Sequence, residues 1–428
     1  MLKPSQYNIV KKKDNKLIIF NTLTGKKLVG DKDIEFSVLE KISKGACISE
    51  ISSSDISRLT EEGFLVSDND DEFENATHIY RDIIADNVLE LTIVVTDGCN
   101  FKCGYCYQEE RKFLSIADNV LDNILQYIHQ EGGKYRVIRV NWFGGEPMLA
   151  FDKIIEFMKQ CIEICKYHKI GLVSGMTTNG YLLTSDRLET LIKHKVFMFQ
   201  ITLDGSRNTH NKLRPHINND DSYDVIIDNL KSISLNVKKY YEIIIRINLT
   251  KSIASNIEDF IEEIKFLKKN RKIALNCQKM SNYGGNSVKL LFAEMIDNKD
   301  FVLVYDSLVQ QGFKVSQQPA VKAGAGLCSA CKPNSFYIDQ RGNILKCSLA
   351  IYDRELSATN RIGFIDKVGN MVIDSELENS WIIREEPDKK CYSCKFYPIC
   401  FNHYCPFRRL NSRKKVCYGY RRATIDSI

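Results

Sequence analysis

Leu91-Thr92-Ile93-Val94-Val95-Thr96-Asp97-Gly98-Cys99-Asn100-Phe101-Lys102-Cys103-Gly104-Tyr105-Cys106-Tyr107 is the stretch that decides how this chain is read. The short apolar run, rich in β-branched residues, predicts a buried strand. Three cysteines follow it as Cys99-x3-Cys103-x2-Cys106. Three thiolates on a four-iron cluster leave one iron with an open site that a small molecule can occupy, whereas a purely structural cluster normally takes four cysteines. Zinc is the alternative, but structural zinc takes four ligands, usually as two close pairs, and no histidine stands nearby.

Outward from this loop, the 428-residue chain is long enough for two to four domains. Its 44% hydrophobic and 27% charged residues are those of a globular protein with a sizeable core. No run of about 18 apolar residues occurs, so no transmembrane helix and no membrane partner are expected. Met1-Leu2-Lys3-Pro4-Ser5 lacks an apolar signal core, which places the expectation in the cytoplasm. Fifteen cysteines in that compartment point to metal or redox chemistry instead of disulfides. The net charge of +6 is spread over scattered lysines and arginines without a basic stripe, so a nucleic-acid partner is not expected.

From residue 88 onward, strand and helix signals alternate six times. Strands are expected to begin near Leu89, Val137, Gly171, Val196, Ile243 and Ile273, separated by amphipathic stretches such as Ile154 to Ile164 and Ile257 to Leu267. Such alternation implies a parallel sheet covered by helices, with chemistry at the C-terminal strand ends. The cysteine loop follows the first strand. The second ends in Phe143-Gly144-Gly145-Glu146-Pro147, where glycines allow close backbone approach to a ligand and Glu146 offers an acceptor to an ammonium. The third and fourth end in Thr177-Thr178-Asn179-Gly180 and Thr202-Leu203-Asp204-Gly205, and Asp204 could equally cap its turn. Arg246 interrupts the apolar fifth strand and needs a partner, either a ligand or a nearby acid.

Ahead of this, residues 1–75 read as a small separate domain. Tyr7 to Val10 and Leu17 to Phe20 predict two strands, Phe36, Leu39 and Ile42 recur at helical spacing, Ser54-Asp55 caps a second helix carrying Ile56 and Leu59, and Phe64 to Val66 returns as a strand. Asp68 to Glu72 reads as an acidic linker.

The segment Cys99 to Tyr107 resembles the signature loop of radical S-adenosylmethionine (SAM) enzymes, and Gly144-Gly145-Glu146-Pro147 resembles the motif that holds the SAM amino group there. The resemblance implies a partial (β/α)6 barrel of the α/β class over residues 88–312. Cys99, Cys103 and Cys106 would hold a 4Fe-4S cluster whose fourth site takes SAM, and the reduced cluster would cleave SAM to methionine and a 5′-deoxyadenosyl radical. It further implies Tyr105 near the adenine, Thr178, Asn179, Thr202 and Asp204 near ribose or substrate, and Arg214 on the SAM carboxylate, while His210 reads as structural.

Eight cysteines lie from residue 328 onward, enough for two more clusters. Gly342-x4-Cys347 and Cys391-x2-Cys394-x5-Cys400 resemble the SPASM extension of this family, giving residues 313–428 as an auxiliary-cluster domain. By resemblance Cys328, Cys331, Cys347 and Cys405 hold one cluster and Cys391, Cys394, Cys400 and Cys417 the other. Four residues, Phe401 to Tyr404, separate Cys400 from Cys405 where the pattern has three, and without Cys331 the first cluster would have an open site. Zinc stays an alternative in this region. Cys161, Cys165 and Cys277 read as packing residues, and Cys47 carries no assignment.

Residues 1–75 resemble a winged-helix RiPP recognition element, which takes a leader peptide as an added strand. The resemblances together imply an oxidoreductase maturing a ribosomally made precursor peptide, with a flavodoxin or ferredoxin as reductant, and a cysteine thioether as the product. Carbon–carbon crosslinking, epimerisation, an anaerobic sulfatase-type maturase and a non-catalytic metal-binding scaffold are the other readings. Phe143, where a sulfatase-type enzyme would be expected to carry Gln, weighs against the third.

Overall fold

The computed structural model describes residues 2–13, 16–30, 52–108, 112–280, 292–316, 323–324, 327–351, 357–382, 387–401 and 405–412. The expected helix around Phe36, Leu39 and Ile42, together with Cys47 and Cys417, lies outside them. Two compact units form: Met1–Asp86 with Gln318–Pro333 and Ile382–Ile428, and Asn87–Gln317 with Asn334–Trp381. The N-terminal residues therefore group with C-terminal cysteine-bearing stretches, and residues 334–381 group with the strand–helix repeat.

The first unit contains β1 (Leu2–Pro4), β2 (Asn8–Lys13), β3 (Lys16–Asn21), β4 (Lys27–Gly30) and β5 (Leu65–Ser67). β2, β3 and β4 form an antiparallel sheet, and β1 pairs with β5. The continuous apolar run of β3 is explained by burial on both faces. Leu17 and Ile19 pack with Leu59, Phe64 and Leu65, while Ile18 and Phe20 pack with Ile9, Phe396 and Ile399. Ser52, not Ser54, caps the helix Ser53–Glu61, its hydroxyl accepting from the Asp55 amide.

The acidic run is not a linker. Asp71 caps the helix Glu72–Ala85 by accepting from the Glu74 amide at 2.9 Å. Glu72 is buried, and its carboxylate accepts from the Gln6 amide at 2.8 Å and from the Ser5 hydroxyl. Acids are read as solvated when their donors lie far away in sequence, as Ser5 and Gln6 do. The same helix stacks Phe73 on Tyr392 and Tyr397, with ring centroids 4.4 and 4.3 Å apart, and Thr77 hydrogen-bonds the Tyr397 hydroxyl at 2.9 Å.

In the second unit, β6 (Val88–Thr96), β7 (Val137–Gly144), β8 (Gly171–Thr178), β9 (Val196–Thr202), β10 (Glu242–Leu249) and β11 (Ile273–Lys279) lie side by side in chain order, all parallel. Between them run helices such as Phe151–His168 and Ser222–Asn236, each with one buried face. This is the expected partial (β/α)6 architecture. On the far side of β6, β12 (Ser335–Ile338) pairs in parallel, and β13 (Asn343–Leu345), β14 (Arg361–Ile365) and β15 (Met371–Ile373) continue antiparallel. No helix among the described residues is long and apolar enough to cross a membrane.

Tyr397 is 2% exposed at the centre of the aromatic cluster in the first unit. Tyr397→Ala should cost about 3–5 kcal/mol, with hydrogen exchange rising in β2, β3 and the helix Glu72–Ala85. Unchanged exchange in those elements would show that the cluster does not join them.

Candidate active site

The cysteine loop has little regular structure, and neighbouring strand ends hold it. The Gly145 amide donates to Thr96 O and the Glu146 amide to Gly98 O, each at 2.8 Å. Backbones meet so closely that a Cβ on Gly144 would lie 2.0 Å from Thr96 O, and one on Gly145 2.1 Å from Gly98 O. Gly144 also has φ +141°, which a side chain would strain. On the other side of the loop, Lys102 and Gly104 amides donate to Pro215 O and Leu213 O at 2.8 and 2.9 Å, and the Ile217 amide donates to Asn100 O at 2.8 Å.

Held in this way, Cys99, Cys103 and Cys106 all face one cavity of about 520 Å³. Tyr105, Gly144, Gly145, Thr178, Asn179, Thr202 and Arg214 line it with them. Glu146, Pro147 and Asp204 stand behind its wall. Glu146 is fully buried, and its carboxylate accepts from the Thr178 hydroxyl at 2.7 Å, the Asn179 amide at 2.7 Å and the Met148 amide at 3.0 Å. Burial raises its pKa, while these three donors and Arg214 act in the opposite direction. The geometry thus shows Glu146 fastening the end of β7 to the end of β8. Asn179 continues the chain by donating through Nδ2 to Asn100 Oδ1 at 2.7 Å, back on the cysteine loop.

Asp204 does not cap its own turn. Its Oδ1 accepts from the Asn248 amide at 2.7 Å and its Oδ2 from the Tyr105 hydroxyl, and it pairs with Arg214 at 3.8 Å. Arg214 Nη1 donates to the Tyr105 oxygen at 2.5 Å, and the guanidinium carbon lies 5.6 Å from the Phe101 ring centroid. Burial holds the Tyr105 phenol well above its ordinary pKa, so it stays a donor to Asp204. His210 is fully buried, its Nδ1 accepting from the Asp204 amide at 3.2 Å, which makes it structural.

Several wall residues were given no site role from sequence. Asn248 and Gln200 lie on the inward faces of β10 and β9, and Phe143, Tyr107, Tyr337, Ser348 and Leu349 form the opposite side. Asn248 had a signal: it follows Arg246 by two positions and so shares its face. Ser348 and Leu349 had none, because they reach the cavity only through the pairing of β12 with β6.

The donor set fits a four-iron cluster with an open site. Three sulfurs come from one loop, and the Phe101 amide donates to Cys99 Sγ at 3.4 Å. Burial pushes the Cys103 thiol up to about 12, against the pull of Arg214, so the protein alone does not ionise it and a bound cationic metal centre would. Polar side chains and the Gly144–Gly145 backbone beside the sulfurs fit a small zwitterionic ligand.

Among the further cysteines, Cys391, Cys394 and Cys400 occupy successive turns in the first unit, the Cys394 amide donating to Cys391 O at 3.1 Å. Cys391 and Cys394 pack against the cluster containing Tyr80, Tyr397 and Phe401. Cys328 and Cys405 are exposed and Cys331 is buried, in the same unit. Cys347 belongs to the second unit, where buried Asn360 brackets it: the Cys347 amide donates to Asn360 Oδ1, and Asn360 Nδ2 donates to Cys347 O, both at 2.9 Å. Cys161, Cys165 and Cys277 are buried, as packing residues are.

Glu146→Gln would set an NH2 group against one of three hydrogen-bond donors. It should destabilise the fold by about 1–3 kcal/mol in denaturant titration. Wild-type stability would show that the β7 and β8 ends do not depend on the carboxylate.

Comparison with known proteins agrees with this geometry. The radical SAM superfamily model matches residues 93–267. A cysteine-type anaerobic sulfatase-maturating enzyme of Clostridium novyi (strain NT) is 23% identical over 336 residues, spanning 71% of this chain and 84% of that one. Among solved structures, native anSMEcpe with bound AdoMet and the Cp18Cys peptide superposes with a TM-score of 0.56 at 17% identity, covering 79% of this chain and 95% of that one. Streptococcus suis SuiB bound to its precursor peptide SuiA gives a TM-score of 0.53 at 18% identity, covering 95% of this chain and 96% of that one. With the three cysteines at the end of β6 and the glycines at the end of β7, residues 93–267 are a radical SAM domain, and the chain is an enzyme built on it.

Proposed function

We propose that this enzyme matures a ribosomally made precursor peptide. The observation that carries the reading is the cavity: three cysteines of one loop, two arginines and a row of strand-end polar groups face the same space. A 4Fe-4S cluster with SAM supplies removal of a hydrogen atom from a carbon that acid–base chemistry cannot reach. Cys99, Cys103 and Cys106 hold that cluster. Arg214, fixed by Asp204 and Tyr105, presents its guanidinium to the SAM carboxylate. The Gly144–Gly145 backbone offers the close approach that a ligand amino group needs, and Phe143, Tyr107 and Tyr337 keep water from the reacting carbon.

Peptide substrates are supported by the relatives. The C. novyi protein is named for sulfatase maturation, and anSMEcpe and SuiB were both solved with peptides. The likeness to SuiB extends over 95% of this chain, against 79% for anSMEcpe. In the first unit β4 ends the three-stranded sheet, and a terminal strand can accept a leader peptide as a further strand. Two auxiliary 4Fe-4S clusters, one on Cys391, Cys394, Cys400 and Cys417 and one on Cys328, Cys331, Cys347 and Cys405, would take up the second electron, with a flavodoxin or ferredoxin as reductant. The bond we favour is a thioether, formed as the peptide loses one hydrogen from a cysteine thiol and one from a carbon. The second reading, conversion of a peptide cysteine to formylglycine, is favoured by the sulfatase-maturating relatives.

Mass spectrometry of a neighbouring-gene precursor after anaerobic co-expression separates these. Loss of two hydrogens with a cysteine no longer alkylatable supports the thioether; an aldehyde trapped by a hydrazine probe supports formylglycine; an unmodified peptide contradicts both. Cys99→Ala should abolish 5′-deoxyadenosine formation, and retained formation would remove the cluster from this loop. Cys394→Ala should keep SAM cleavage yet lose peptide modification, and normal modification would make that auxiliary cluster dispensable.

A further inference from the structure

Arg246 is a cation in the cavity wall that the chemistry above leaves unused. It sits on β10 in register with Thr202 of β9 and Asn276 of β11, on the same strand face as Asn248. Its Nε–H donates to Asn248 Oδ1 at 2.9 Å, and among the described residues it enters no ion pair. Arg214 differs in both respects. It pairs with Asp204 at 3.8 Å, and its Nη1 donates to the hydroxyl oxygen of Tyr105, on the cysteine loop, at 2.5 Å. SAM carries one carboxylate, and a SAM molecule seated on the cysteine loop presents it to the arginine beside that loop. A second guanidinium in the same partly desolvated space calls for a second anion.

Resting on the peptide-maturase reading, we infer that Arg246 anchors a carboxylate of the substrate peptide, placing the reacting residue at the β10 side of the cavity. The planar guanidinium is already oriented through Nε by Asn248, and among the described residues its two terminal nitrogens are left for a bidentate carboxylate. The carboxylate comes either from an Asp or Glu side chain next to the modified residue or from the end of the peptide chain. Arg246 is thereby a specificity-determining residue: it selects a peptide whose acidic group stands at a fixed distance from the carbon that loses hydrogen.

The test uses full-length protein with clusters and SAM loaded anaerobically, as wild type, Arg246→Gln and Arg246→Lys. Saturation-transfer NMR follows three probes: acetylated trialanine, its C-terminal amide, and acetylated Ala-Asp-Ala amide. Wild type should bind one or both carboxylate probes at least about tenfold more tightly than trialanine amide, and the probe preferred names the source of the carboxylate. Arg246→Gln should lose the preference and Arg246→Lys retain part of it, with SAM affinity within about threefold of wild type in both. Equal or absent binding of all three probes by wild type, a preference that survives in both variants, or SAM affinity lost in both variants overturns the inference. Failure of the underlying reading shows separately, as a precursor peptide that wild-type protein leaves unmodified on anaerobic co-expression while it still cleaves SAM.

Discussion

Backbone-to-backbone contact between Gly144–Gly145 and Thr96–Gly98 sets the position of everything in the cavity. The cysteine loop cannot hold its own shape, so its sulfurs are placed by what it touches. An alanine at either glycine would bring carbon to about 2 Å from a carbonyl oxygen, a distance that only main-chain displacement relieves. From this seam a closed circuit runs through Glu146 to Thr178 and Asn179, and from Asn179 back to Asn100 on the loop. Three strand ends and one loop are thus fixed against one another by a buried carboxylate with all its donors in place. Buried acids are stable only in such company.

A second circuit balances charge. Tyr105, Asp204, Asn248 and Arg214 share hydrogen bonds in the cavity wall, so one arginine is oriented and partly neutralised before any ligand arrives. Such preorganisation lowers the cost of binding an anion, because the cation does not have to be collected from solvent. Arg246 joins this circuit through Asn248, whose Nδ2 donates to the Tyr105 hydroxyl at 3.2 Å, and it has no acid partner among the described residues. The cavity wall therefore carries two guanidiniums, which suits a cofactor and a substrate that each bring a carboxylate.

Much of this was legible in sequence. Expected strand starts at Val137, Gly171, Val196 and Ile273 coincide with observed ones, and those at Leu89 and Ile243 fall one residue late. Parallel strands buried on both sides write their length as apolar runs, so their starts can be read. The cysteine triad and the two glycines were equally plain, because close spacing and missing side chains are local signals. The roles of polar residues at strand ends were harder. Glu146 and Asp204 read as ligand contacts, and their carboxylates also accept hydrogen bonds from neighbouring strand ends and from Tyr105, partners that no local pattern announces, whereas Asn248 could be read only by its alternation with Arg246. Glu72 reads as part of a linker for a similar reason: its donors are Ser5 and Gln6, far away in the chain. The grouping of the N-terminal sheet with Phe396, Tyr397 and Ile399 depends on long-range packing, for which no local pattern exists.

The central claim is that Cys99, Cys103 and Cys106 hold a four-iron cluster whose open site takes SAM. Electron paramagnetic resonance of the dithionite-reduced, cluster-loaded protein, recorded with cysteines of both auxiliary sets, Cys328, Cys331, Cys347, Cys391, Cys394 and Cys400, changed to alanine, tests it most directly. The account predicts a 4Fe-4S signal whose g-values shift when SAM is added. A reduced protein with no such signal, or one whose spectrum SAM leaves untouched, would contradict it.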